Sequence, residues 1–180
     1  ADELLKAIIQ KYGRPPNILV NSAGILSASS TLDMTPEFLQ RMLDVNLKGT
    51  FFTSQAVCRE LSAAKLPGAI VNFSSVAVRT NAPGMAAYTA SKAGVDAITK
   101  CMAKDMSQYN IRVNSVQPGW IDTPLTAALA AQSDRKEAWT NRLATKRIGQ
   151  PQEVAELIVF LSSDRASYIN GSNISIDGGF

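Results

Sequence analysis

The sequence predicts an α/β fold, a doubly wound parallel sheet covered by helices on both faces. Three observations lead there. Short apolar runs alternate in regular order with longer segments of helical periodicity. The run Ala69 to Phe73 reads as a continuous apolar strand, as strands buried on both faces do. The runs end in turns of small or polar residues, namely Asn21-Ser22-Ala23-Gly24, Ser74-Ser75 and Pro118-Gly119.

The elements follow in order. Leu4, Leu5, Ile8 and Ile9 recur at helical spacing in a first helix over Ala1 to Gly13, which stops at the glycine ahead of Pro15 and Pro16. A short strand, Asn17 to Val20, comes next. Thr35-Pro36-Glu37 opens a long helix, with Pro36 suited to its first turn, and the pattern runs past Asn46 toward Ser62; one broken helix or two in tandem fits. The Pro67-Gly68 turn leads into a strand over Ala69 to Phe73. A helix carrying Tyr88 to Met106 and a strand over Ile111 to Val116 continue the alternation. From Trp120 to Arg147 the pattern weakens and polar residues dominate, which predicts short helices of a lid or substrate loop over residues 120–147. Gln152 to Leu161 reads as an amphipathic helix and Asn173 to Ile176 as a closing strand. No repeat, low-complexity tract or linker divides the chain, so residues 1–180 form one unit.

Composition removes several functions. With 46% hydrophobic and 18% charged residues, the 180-residue chain can bury one core. Its net charge of +3 is spread along the whole length without the basic stripe that nucleic-acid binding needs. Histidine is absent, which removes the base of Ser-His-Asp hydrolases and the commonest zinc ligand, and no metal site is expected. Cys58 and Cys101 are too far apart for a paired motif and read as buried free thiols in a reducing compartment. No apolar run approaches the roughly 20 residues of a membrane span, and no membrane partner is expected. Trp120 and Trp139, which flank the polar stretch, read as core rather than pocket.

Chemistry concentrates in Tyr88-Thr89-Ala90-Ser91-Lys92. A tyrosine and a lysine four apart on a helix share a face, so a phenol and an ammonium stand together. Bringing a phenol from about 10 to about 7 takes roughly 4 kcal/mol. A cation about 4 Å away supplies about 1 kcal/mol in bulk water and about 4 at an effective dielectric near 20, so the pair works only in a partly desolvated cleft. By itself the spacing describes an ordinary solvated helix face. Ser75 stands just past a buried strand, where the carboxyl ends of parallel strands form a ligand crevice. Asn46 sits within a helical pattern where asparagine is unfavourable and Gly49 more so, which marks a functional site or a break with Asn46 as its cap.

In order and spacing, Asn21-Ser22-Ala23-Gly24, Asn46, Ser75, Tyr88 with Lys92, and Pro118-Gly119-Trp120-Ile121-Asp122-Thr123 resemble the classical short-chain dehydrogenases/reductases over essentially the whole chain. The resemblance implies an NAD(P)-dependent oxidoreductase that interconverts a carbonyl and a secondary alcohol. It makes Tyr88 the general acid/base and Lys92 the group that lowers its pKa and holds the nicotinamide ribose. Ser75 binds the substrate oxygen, and Asn46 anchors a relay water. Asn21, Ala23 and Gly24 line the adenosine side of the cofactor, with Ser22 in place of the more usual second asparagine. Pro118, Gly119, Ile121 and Thr123 pack on the nicotinamide. It also implies a homodimer or homotetramer joined through the Tyr88 helix, its neighbour and the last strand.

Members of that family open with a strand and a glycine-rich turn that binds the pyrophosphate, followed by the residue that selects NAD or NADP. The chain begins later, in mid-helix. It is therefore expected to be the C-terminal portion, strands 4 to 7, of a Rossmann-like doubly wound sheet, a piece of a longer enzyme rather than a truncated product, with NAD or NADP as cofactor. Alone it is expected to be poorly soluble or inactive, because a half sheet exposes an edge and apolar faces. The compartment is expected to be the cytoplasm or the mitochondrial matrix, any targeting signal lying upstream. Arg14-Pro15-Pro16-Asn17, Asn46-Leu47-Lys48-Gly49-Thr50-Phe51 and the Tyr88 motif resemble the 3-oxoacyl-acyl-carrier-protein reductases and type 8 17-beta-hydroxysteroid dehydrogenases, which implies an acyl thioester or a steroid as substrate. A non-catalytic scaffold on the same fold is the alternative.

Overall fold

In the computed structural model, which describes residues 1–130 and 133–180, four strands lie side by side in chain order and parallel: β1 (Ile18–Asn21), β2 (Gly68–Phe73), β3 (Ile111–Pro118) and β4 (Asn173–Ile176). Each parallel step needs a helical crossover. α1 (Asp2–Tyr12) precedes β1, and α2 (Pro36–Leu43) and α3 (Thr50–Ala64) lead to β2. α4 (Ala77–Thr80) and α5 (Ala86–Met106) lead to β3, and α6 (Pro124–Ala130), α7 (Ser133–Arg142) and α8 (Pro151–Ser162) lead to β4.

Local chemistry sets the boundaries. α1 ends where Gly13 takes the left-handed conformation at φ 72° and its N–H reaches the Ile9 carbonyl. Thr35 caps α2 by accepting a hydrogen bond from Phe38 N–H, and Pro36 occupies the first turn. Between α2 and α3 the chain does not break. Asp44–Gly49 forms a π-helical turn that joins them, so Asn46 is not a cap but sits inside a widened helix. Leu47 on that turn presses against Gly94 of α5, where an added Cβ would lie 2.9 Å from the leucine Cδ2.

Alternation along β2 and β3 divides the core between the two faces of the sheet. Ile70, Ile111 and Val113 meet Leu5, Val57, Leu61 and Met102 beneath α1, α3 and α5. On the other face Val71 and Val116 meet Leu161 and Ala166 under α8. A third cluster, Met42, Ala87 and Tyr88, ties α2 to the start of α5. Burying each large aliphatic side chain contributes about 1.5–3 kcal/mol. Cys58 is buried in the first cluster and its thiol is pushed up to about 11 by burial. Cys101 departs from the sequence expectation: it is exposed. Among the described residues there is no cluster of metal-ligating side chains and no helix long and apolar enough to cross a membrane.

Candidate active site

The carboxyl ends of β2 and β3 and the first turns of α5 surround a cavity of about 1030 Å³. Ser75 reaches it because β2 ends two residues earlier. Tyr88 lies in the first turn of α5 and Lys92 one turn on, both facing inward at 7% and 5% exposure. Lys92 Nζ donates to the Phe73 carbonyl at 2.8 Å and stands 5.8 Å from the centre of the Tyr88 ring. Ser75 Oγ accepts the Ala77 N–H at 3.1 Å.

The electrostatics differ from the sequence expectation. Burial raises the Tyr88 phenol above its ordinary pKa, and the Ser75 hydroxyl opposes that shift. The Lys92 ammonium is turned to the Phe73 carbonyl and is itself pushed down to about 8 by burial, against the attraction of Asp96. Low dielectric penalises both charged forms, so the protein holds a neutral phenol beside a weakened ammonium.

Asn46 is fully buried, behind the cavity wall rather than on it. Its Oδ1 accepts the Ile25 N–H at 2.8 Å, and its Nδ2 donates to the Ile25 carbonyl at 3.0 Å and to Ser91 Oγ at 3.1 Å. Ser91 Oγ donates in turn to the Tyr88 carbonyl at 2.7 Å. The asparagine thus fastens the loop after β1 to the turn of α5 that carries Tyr88. An added Cβ on Gly24 would lie 3.3 Å from Asn46 Oδ1 and 3.5 Å from Lys92 Nζ, so this glycine lets the three groups converge.

Of the other residues singled out in the sequence, Gly24, Pro118, Gly119, Ile121 and Thr123 line the cavity. Gly119 is required by packing, since a Cβ there would meet Asp177 Cα at 2.7 Å. Asn21 and Ala23 do not line it. Asn21 turns into the protein, where its Nδ2 donates to Ser54 Oγ at 2.8 Å and Asn72 Oδ1 at 2.9 Å while its Oδ1 accepts from Thr53 Oγ1 at 2.7 Å. Ala23 is exposed beyond the wall.

Trp120 and Trp139 are not core residues. Their rings stack at 3.5 Å with 14° between the planes, and both line the cavity. Sequence reasoning missed this because ring stacking across two separate segments has no local signature. It also missed Ser91, although a serine inside the Tyr88-to-Lys92 turn was in view, because its partner lies 45 residues away.

The family model described as enoyl-(acyl carrier protein) reductase matches residues 1–180. A 3-oxoacyl-(acyl-carrier-protein) reductase of Thermotoga maritima is 43% identical over 177 residues, 98% of this chain and 70% of that protein. A (3R)-3-hydroxyacyl-CoA dehydrogenase of Mus musculus is 35% identical over 179 residues, 99% of this chain and 68% of that protein. The crystal structure of a gluconate 5-dehydrogenase from Burkholderia cenocepacia, in complex with NADP and tartrate, superposes with a TM-score of 0.94 at 31% identity, covering 99% of this chain and 69% of the other. The chain belongs to the short-chain dehydrogenase/reductase family.

Proposed function

We propose that this chain carries the catalytic residues of an NAD- or NADP-dependent oxidoreductase that interconverts a carbonyl and a secondary alcohol, and that its substrate is a 3-oxoacyl or 3-hydroxyacyl thioester. The observation that carries the reading is the convergence of Ser75, Tyr88 and Lys92 on one cavity wall at the carboxyl ends of β2 and β3. The thioester class is supported by the names of the relatives from Thermotoga maritima and Mus musculus.

The donor set fits a dinucleotide. Gly24 leaves room beside Lys92, whose ammonium spends one of its three donors on Phe73 and keeps two for ribose hydroxyls. NADP and NADH are held by solved relatives. Such a cofactor, when bound, supplies or accepts the hydride. The chain's own residues handle the proton and the oxygen. Ser75 Oγ holds the substrate oxygen by a hydrogen bond. Tyr88 donates its phenolic proton to that oxygen in reduction and takes it back in oxidation. Lys92 stabilises the phenolate left behind, in a site dry enough for that attraction to count. Pro118, Gly119, Ile121 and Thr123 wall the nicotinamide side, Asn21 and Ala23 shape the adenosine side through the turn they build, and Asn46 fixes the turn of α5. The described part of segment 120–147, residues 131 and 132 lying outside it, acts as the lid, with the Trp120 and Trp139 stack as its apolar face. Two free thiols suit a reducing compartment, the cytoplasm or the mitochondrial matrix, and a homodimer or homotetramer is the assembly we expect.

The test is turnover by the complete protein with NADH and NADPH on acetoacetyl thioesters and on estradiol with the oxidised cofactors. Thioester reduction without estradiol oxidation is the expected result; the reverse transfers the reading to steroids, and turnover of neither favours a scaffold.

A further inference from the structure

One of the ties between helix α5 and the sheet is a carboxylate. Asp96 stands a turn beyond Lys92, and its carboxylate accepts from Ser115 Oγ at 3.0 Å and Gln117 Nε2 at 2.6 Å. Both donors lie on β3, two positions apart and so on the same face. Ser115 also lies 2.9 Å from the Asn173 side chain of β4, and Gln117 Oε1 accepts from Ser175 Oγ of β4 at 3.1 Å. The residues that follow Gln117 are Pro118 and Gly119, on the cavity wall. One carboxylate therefore connects the helix carrying Tyr88 and Lys92 to the strand ends that close the site.

Two hydrogen bonds to neutral donors do not by themselves require a charge, and a half-buried charge is costly without a compensating partner. Asp96 makes no ion pair within 4 Å among the described residues. One turn away on its own helix is the buried Lys92, whose charge it favours. The other charged groups around the cavity do not serve. Arg79 of α4 is paired with Asp177 beyond β4, and Arg142 of α7 is a further cation. On the π-helical turn Asn46 is neutral, while Asp44 and Lys48 pair with each other at 2.7 Å on the solvent side. Tyr88 is held as the neutral phenol.

We propose that Asp96 is a positioning residue of the active site: its carboxylate, hydrogen-bonded to Ser115 and Gln117, locks α5 onto β3 and stands as the counter-charge one helical turn from Lys92. The inference rests on the role of Lys92 in the reading above.

The experiment is Asp96→Asn and Asp96→Glu in the complete protein, read by nitrogen-15 NMR titration of Lys92 Nζ, assigned with Lys92→Arg, and by kcat/KM from pH 6 to 10. In Asp96→Asn the Nζ midpoint and the basic limb both move down by roughly one pH unit, so that kcat/KM falls about tenfold at pH 9 and less than about threefold at pH 6. Asp96→Glu returns the midpoint to within about half a unit. An unmoved midpoint, or one uniform loss at every pH, reduces Asp96 to a packing tie and overturns the proposal. Should Asp96→Asn fail to fold, Gln117→Leu breaks one bond and spares the charge: an unchanged Lys92 midpoint with lowered kcat is expected, and a midpoint lowered by a full unit overturns the proposal. Nζ titration needs no substrate, so a wild-type protein that lacks turnover sinks the functional reading separately from this one.

Discussion

The lower and upper halves of one sheet face are built from different materials. Toward the amino ends of the strands, Ile70, Ile111 and Val113 pack against Val57, Leu61 and Met102. Toward the carboxyl ends, Asn21, Asn72, Ser115 and Asn173 lie in one register row across all four strands. Asn72 takes the Asn21 amide on its Oδ1 and donates to Thr99 Oγ1 at 2.9 Å, while Ser115 reaches Asp96. Apolar burial scales with area and has little direction. Hydrogen bonds weaken steeply with misalignment, so they fix the axial position of α3 and α5 on the sheet. The candidate catalytic groups stand over the directional half, where placement within about 0.5 Å matters.

That contrast can be broken at several points. The largest effect is expected from Tyr88→Phe, which leaves both halves intact and removes the proton donor: kcat falls by about 10²–10⁴-fold with the thermal midpoint unchanged, in steady-state kinetics on the complete protein. A scaffold would lose nothing. Leu61→Ala strikes the apolar half and is expected to cost about 2–5 kcal/mol in urea unfolding, while kcat per folded molecule stays near wild type.

Lys92→Met sharpens the contrast through pH. The folded-state pKa of Lys92, about 8, lies below its usual 10.5, so between those values the folded protein binds fewer protons than the unfolded one and stability rises with pH. Below pH 8 the buried charge costs up to about 3 kcal/mol, offset in part by its bond to Phe73. The methionine variant is therefore expected to be inactive yet about 1–2 kcal/mol more stable at pH 7, with the gain vanishing above about pH 10.5 in denaturant titrations. The smallest effect belongs to Asn72→Ala, which removes one of the two acceptors of the Asn21 amide and the donor to the Thr99 hydroxyl: about 1–2 kcal/mol in stability, accompanied by a lowered kcat as α5 loses its register. Were Asn72→Ala to destabilise without touching kcat, the distinction between the two halves would fail.

Much of this architecture was legible in the residues. Strand boundaries predicted from apolar runs lie within one or two residues of those observed, and Asn173–Ile176 coincides. Buried parallel strands and amphipathic helices announce themselves because the periods of 2 and 3.6 are local. The Tyr88 and Lys92 spacing on one helix, and the place of Ser75 after a strand, were equally readable. The polar row was not, because Asn21, Asn72, Ser115 and Asn173 are brought together by strand register, which no single segment encodes. Asn21 shows the consequence: the family resemblance implied a place on the adenosine side of a cofactor, and the register directs its side chain to Asn72. The Trp120 and Trp139 stack failed for the same reason.

What the sequence determined by itself is the order and type of the elements and the identity of the groups that gather at the site, since propensity, capping and hydrophobic period act over a few residues. Only the tertiary structure decided their state. It widened the turn at Asn46 so that Leu47 could meet Gly94, turned the Lys92 ammonium to the Phe73 carbonyl, and set Asp96 between helix and sheet. Burial and distance govern charge, and both depend on which segments the fold brings together.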